Sequence, residues 1–257
     1  MATVPADTFK GTGETPQGVR AMRIDRVSVL EAILDVGAVP TFCPNDDAAA
    51  RRVVSACHEA GARVIEITNR VEGTHRLFRD LVVWASAEFP DVILGAGSIY
   101  EAPTAAMFID AGAGFIVTPI LSAEVARLCN RRRVAYIPAC ATATEISDAE
   151  EVGVEIIKLF PAAALDGAEF VRGIHRPSPM TRIMPTNVAA TEEETKAWFA
   201  AGVACVGVGS DLITQSLQAD PDPSLLTARL REYMGWVSAA RTAAAGAGDQ
   251  CHDVGLS

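Results

Sequence analysis

The chain has 257 residues, 49% of them hydrophobic, enough for one large core. Its 22 Lys and Arg against 32 Asp and Glu leave a formal net charge of −10 and a pI near 4.9, an acidic balance that argues against nucleic acid and anionic membranes as partners. No run of ~18 apolar residues is free of charge, and the opening MATVPADTFKGTGETPQG has no apolar core behind a basic start, so neither a membrane span nor a secretory leader is expected.

Residues 1–20 are rich in Thr, Gly and Pro and read as a loose segment ahead of a single domain over 21–240, with 241–257 as a flexible tail. Within the domain one pattern recurs. Short runs rich in β-branched residues begin at Val39 (VPTFC), Val64 (VIEIT), Val92 (VILGAGS) and Phe115 (FIVTP). They continue at Ala135 (AYIPAC), Ile156 (IIKLFPA), Arg182 (RIMPTN) and Ala204 (ACVGVGS). Successive starts lie roughly 20 to 28 residues apart, room for a strand, a loop and a helix. The intervening segments read as helices: DDAAARRVVSACHEAG opens on acidic caps and closes at Gly61, and SAEVARLCNRRR opens on Ser122 as N-cap and ends in a basic last turn. Eight such alternations predict an α/β fold, a single-domain (β/α)8 TIM barrel. A doubly wound open sheet is the alternative, and no G-x-G-x-x-G follows the first strand to support it.

In a barrel, functional groups collect at the C-terminal strand ends. Here those ends are full of Thr, Ser, Asn, Pro and Gly, with one Glu, one Arg and one Lys. The lysine stands out: the chain has three, Lys10, Lys158 and Lys196, and Lys158 interrupts the apolar run VEIIKLFPAA. Alternation puts Glu66 and Thr68 on one face of their strand, with Arg70 just past its end, and Lys158 and Phe160 on one face of theirs. If both faces are the barrel interior, an acid, an arginine and a lysine share one enclosed volume. That set suits Schiff-base chemistry. A lysine attacks a carbonyl as the neutral amine, which an enclosed site favours, and the resulting iminium is an electron sink for breaking a C–C bond. Glu66 can move protons, and the planar fork of Arg70 matches the carboxylate of a 2-keto acid such as pyruvate. The same residues also fit plainer readings: a lysine at an edge strand reaching to water, or a buried Glu66–Lys158 ion pair of little net stability. Ser98, Thr118, Thr186 and Ser210 can equally be helix caps, and Cys140 a small buried apolar group. The six cysteines form no C-x-x-C pair, which points to reduced thiols in a cytoplasmic protein and to no zinc site.

These stretches, in the order VIEITNR, GAGS, GAGFIVTP, IPACATATEI, IIKLFPA, IMPTN and VGVGSDL, resemble the class I aldolases that cleave 2-keto-3-deoxy-6-phosphogluconate (KDPG) and 4-hydroxy-2-oxoglutarate (KHG). The resemblance spans Val64 to Leu212. It implies a (β/α)8 barrel, a homotrimer, neither metal nor cofactor, and pyruvate released with an aldehyde. It further implies Lys158 as the Schiff-base residue, Glu66 as the acid/base acting through water, and Arg70 as the carboxylate anchor. Thr118, Pro119 and Thr186 would assist at the strand ends, Phe160 would pack on the imine, and Ser98 stands where the family usually has Thr. Two stretches depart from the pattern. Where the family reads PTGG, with glycines that let backbone N–H groups approach a phosphate, this chain reads PTNV, with Asn187 and Val188. Ser210 still fits the other half of such a site. Ala139 replaces the glycine after the proline of IPAC. The pyruvate half of the pattern is intact and the acceptor half altered. Two rival readings remain at this point: a sugar-phosphate isomerase or decarboxylase barrel using Lys158 only as a charge, and a catalytically weakened barrel that binds a keto acid.

Overall fold

A computed structural model describes the backbone of residues 24–251, with side chains through residue 246. The N-terminal segment 1–20 and residues 252–257 of the expected tail lie outside the described residues.

The elements alternate as read from the sequence. Helix α1 (Arg26–Val36) precedes β1 (Ala38–Phe42), and then follow α2 (Asp47–Glu59), β2 (Val64–Thr68), α3 (Thr74–Glu88), β3 (Ile93–Gly97), α4 (Ala102–Asp110) and β4 (Phe115–Thr118). The second half runs α5 (Ala123–Arg132), β5 (Ala135–Cys140), α6 (Ala143–Glu151), β6 (Ile157–Leu159), α7 (Gly167–His175), β7 (Ile183–Pro185), α8 (Glu192–Ala200), β8 (Val206–Val208), α9 (Gln215–Ala219) and α10 (Ser224–Cys251). The caps are those the sequence promised. Asp46 accepts from the Ala49 N–H (2.7 Å) at the start of α2, Ser122 accepts from the Val125 N–H (3.4 Å) at the start of α5, and α5 ends on Arg131 and Arg132.

All strands are parallel, in the order β7-β6-β5-β4-β3-β2-β1-β8. A bridge between Thr186 and Gly207, with the Ala204 N–H donating to Ile183 O (3.0 Å), joins the two ends. The sheet therefore closes into the (β/α)8 barrel, and the open sheet is not formed. Alternation divides the apolar residues in two. Ile65, Ile67, Ile157 and Leu159 face outward to the helices. Val64, Ile93, Phe115, Ile156 and Met184 fill the interior, which α1 seals from below with Val29, Ala32 and Ile33. A dry plug thus underlies the C-terminal mouth and forces any polar chemistry to the top of the barrel.

Interior packing is tight at β3. A Cβ on Gly95 would lie 2.3 Å from the ring of Phe115, which is fully buried. Gly95→Ala is expected to cost about 1–3 kcal/mol through overpacking, read as a lower midpoint of urea unfolding at unchanged slope.

Beyond residue 240, where composition suggests a tail, the backbone is helical. Helix α10 continues through Arg241 to Cys251. The Arg241 guanidinium donates to Leu34 O (2.7 Å) and to Asp35 O, tying α10 to the end of α1. The reason is propensity: the Ala run there is strongly helix-forming, and small residues alone do not mark a tail. Among the described residues no helix is long and apolar enough to cross a membrane.

Candidate active site

A pocket of about 220 Å³ opens at the C-terminal ends of the strands, where Glu66, Arg70, Lys158, Phe160, Thr186, Asn187 and Ser210 come together. Glu66 points inward from β2, sharing its face with Val64 and Thr68, and is 1% exposed. Among the described residues its one hydrogen bond is a long one, donated by Thr41 Oγ1 to Oε2 (3.4 Å). The carboxyl lies directly over β3: a Cβ on Gly97 would sit 1.8 Å from Glu66 Oε1. The glycine of GAGS thus makes the space that the acid occupies. A carboxyl so enclosed, and so weakly partnered by protein, is placed to exchange protons with a bound molecule.

Lys158 stands on β6. Counting round the closed barrel, β6 lies four strands from β2 in either direction, so lysine and glutamate face each other across the mouth. Among the described residues no carboxylate comes within 4.0 Å of the Lys158 ammonium, so the buried Glu66–Lys158 ion pair is not formed. The edge-strand reading also fails, because β6 is paired on both sides, by β5 and β7. The Phe160 ring covers the amine, with its centroid 5.4 Å from Nζ. What the sheet leaves between Glu66 and Lys158 is space for a small molecule.

Arg70, just past β2, is oriented by Ser98: its Nε donates to Ser98 Oγ (3.0 Å). Among the described residues its two terminal amino groups have no partner, which leaves the fork open to a carboxylate. Ser98 reaches this position at φ 58° and does not itself line the pocket. Thr186 does, with its Cγ2 packed where a Cβ on Gly207 would fall (2.5 Å). Thr118 and Pro119 are outside the lining. Thr118 has the parity of outward-facing Ile116, and its hydroxyl donates to Ile120 O (2.6 Å) while lying 2.9 Å from the Tyr136 hydroxyl. Its side chain is therefore turned away from the mouth. None of the four hydroxyl residues is a helix cap, since α4, α5, α8 and α9 start from Glu101, Ser122, Thr191 and Thr214. Cys140 also faces outward, 2% exposed, and burial pushes its thiol up to about 12.

Polar lining residues that escaped the sequence reading include Thr41, Cys43, Asp211 and Gln218. Thr41 had a signal, since VPTFC alternates and places Thr41 on the same face as Val39. The other three depend on how the loops after β1 and β8 and the short α9 fold over the mouth.

An acid and a lysine across a barrel mouth, with an arginine beside them, set the comparison with known proteins. Residues 29–228 match the family model described as "KDPG and KHG aldolase". The chain belongs to the KDPG and KHG aldolase family. It is 31% identical over 160 residues to the 2-dehydro-3-deoxy-phosphogluconate aldolase of Treponema pallidum, covering 62% of this chain and 74% of that one. The counterpart from Dickeya dadantii is 29% identical over 210 residues, covering 81% and 96%. The crystal structure of a 4-hydroxy-2-oxoglutarate/2-dehydro-3-deoxyphosphogluconate aldolase from TTHB1 superposes with a TM-score of 0.68 at 27% identity, covering 81% of this chain and 98% of the other. The protein is an aldehyde-lyase, and the isomerase, decarboxylase and binding-barrel readings give way to it.

Against the aldolase pattern, the loop after β7 is rebuilt. Asn187 adopts φ 61°, the conformation that a glycine supplies more freely. Val188 does not lie at positive φ; it is 5% exposed and packs into the outer core. Ala139 pairs in register with Lys158, adding a methyl group beside the lysine strand.

Proposed function

We propose that the protein is a class I aldolase that cleaves a 4-hydroxy-2-keto acid, a 2-keto-3-deoxy sugar acid or a close relative, to pyruvate and an aldehyde. The observation that carries this reading is the unpaired Lys158 facing Glu66 across an enclosed mouth whose arginine fork is open. Arg70 holds the C1 carboxylate. The Lys158 amine adds to C2, and the C2 oxygen leaves as water, giving an iminium. Glu66, directly or through a water, takes the proton of the C4 hydroxyl. The C3–C4 bond then breaks, its electrons pass into the iminium to give an enamine, and the aldehyde departs. The enamine takes a proton at C3, and water hydrolyses the iminium to release pyruvate and free Lys158.

Two coarser features complete the proposal. The five free cysteines among the described residues, four of them buried, fit a reducing cytoplasmic compartment. The trimer comes from the family resemblance and is supported by apolar side chains exposed after β2, β3 and β4: Val71, Tyr100 and Ile120. The deciding experiment is borohydride reduction in the presence of pyruvate, followed by intact mass and peptide mapping. One reduced pyruvate adduct per chain, mapped to Lys158, is expected. A folded protein that gives no adduct, or one mapped elsewhere, overturns the mechanism.

A further inference from the structure

We infer that the acceptor side of the pocket takes an uncharged, hydroxyl-bearing chain, and that Asp211 and Gln218 set this choice against a phosphate ester or a second carboxylate. The inference rests on the aldolase reading above and narrows its substrate class. The acceptor wall is built by the loops after β7 and β8 and by α9. Its β7 loop offers backbone N–H groups, the natural ligands of an anion. Asp211, which lines the pocket, ties this loop from behind: the Ala190 N–H, outside the lining, donates to its Oδ2 (2.5 Å). Its carboxylate stands at the exposed rim of the pocket, where an incoming anion would approach. Arg229 from α10 donates to the Asp211 backbone carbonyl (2.6 Å), fixing the loop that carries the side chain.

The charges on this wall point the same way. Among the described residues the cations lining the pocket are Arg70 and Lys158, from the β2 and β6 ends, and the acceptor wall contributes Asn187, Ser210, Asp211, Gln215 and Gln218. Arg229 and Arg52 donate to the backbone carbonyls of Asp211 and Gln218 from outside the lining, so a dianionic phosphate would meet a carboxylate with no cation lining that wall to offset it. Gln218 supplies the independent observation. It is 4% exposed, it lines the pocket, and its Oε1 has no hydrogen-bond partner, while its Nε2 donates to Ile213 O (3.4 Å). A buried amide oxygen without a partner is stabilised by a donor brought by a ligand. A phosphate dianion or a carboxylate brings acceptors only. A hydroxyl brings the proton that both Gln218 Oε1 and the free lone pairs of Asp211 can accept.

The test is kcat/KM of the purified full chain on three substrates: 2-keto-3-deoxygluconate, its 6-phosphate, and 4-hydroxy-2-oxoglutarate. The unphosphorylated sugar acid is expected to be preferred by about tenfold or more over the two substrates whose acceptor end is charged, and Asp211→Asn to raise the phosphorylated-to-unphosphorylated ratio by about tenfold. Gln218→Leu should raise KM for the sugar acid more than it lowers kcat. A wild-type preference for the phosphate ester overturns the inference whatever the variants do, and so does a ratio that Asp211→Asn leaves unchanged. Pyruvate trapping on the wild type separates the two levels: an adduct on Lys158 with a phosphate preference sinks this inference alone, and no adduct sinks the aldolase reading together with it.

Discussion

Lys158→Ala is expected to lower kcat/KM by at least ~10⁴-fold, a loss of about 5.4 kcal/mol of transition-state stabilisation, and to abolish pyruvate trapping. The size follows from the role. Without the amine no iminium forms, and the electrons of the C3–C4 bond have nowhere to go. The fold should survive, because among the described residues the lysine makes no ion pair whose loss would strand a buried carboxylate. Its apolar strand neighbours, Ile157 and Leu159, face the helices and are untouched. The thermal midpoint should therefore stay close to that of the parent protein. Lys158→Arg makes the experiment sharper. Arginine keeps a positive charge at the end of β6 and cannot condense with a ketone. If the lysine acted as a charge alone, the arginine variant would retain much of the activity. Imine chemistry requires both variants to fall together, and an active Lys158→Arg would refute it.

How much of this was visible in the sequence depends on how local each signal is. The eight strands were legible because most are short β-branched runs closed by Gly, Pro or Asn, and their observed starts lie within two residues of the expected ones. Glu66 and Lys158 were legible as inward-facing because a period of two fixes parity once the interior is known. The same rule applied to FIVTP, with Phe115 and Val117 inward, turns the Thr118 side chain out, and the structure has it so. What connects Glu66 to Gly97 was not legible: two residues on neighbouring strands meet through register, which no single segment encodes. Asp211 and Gln218 were hidden for a similar reason. One is an acid after a glycine-rich strand end and the other a polar residue on a five-residue helix, and neither pattern is distinctive until α9 is seen folded over the mouth. The Ala-rich stretch past residue 240 was read by composition, where helix propensity was the stronger term.

Glu66→Gln is expected to slow turnover by about 10²–10⁴-fold while pyruvate trapping on Lys158 persists. The amide keeps the shape of the side chain and an oxygen for the Thr41 hydroxyl, but it cannot take the C4 proton. Loss should therefore fall on kcat for cleavage and spare formation of the pyruvate adduct. Gly97→Ala tests the same role without touching the acid. Gly97 is not among the residues at positive φ, so alanine is conformationally admissible there, and the conflict is purely steric: the new Cβ would stand 1.8 Å from Glu66 Oε1. Either the carboxyl swings off its place or β3 shifts against β2. In the first case the variant should reproduce the Glu66→Gln signature, slow cleavage with intact trapping and near-parental stability. In the second, unfolding should move to lower denaturant, and trapping should decline with turnover. Equal losses in cleavage and trapping for Glu66→Gln itself would make the glutamate a packing element of the barrel mouth, and the proton transfer would have to be assigned elsewhere.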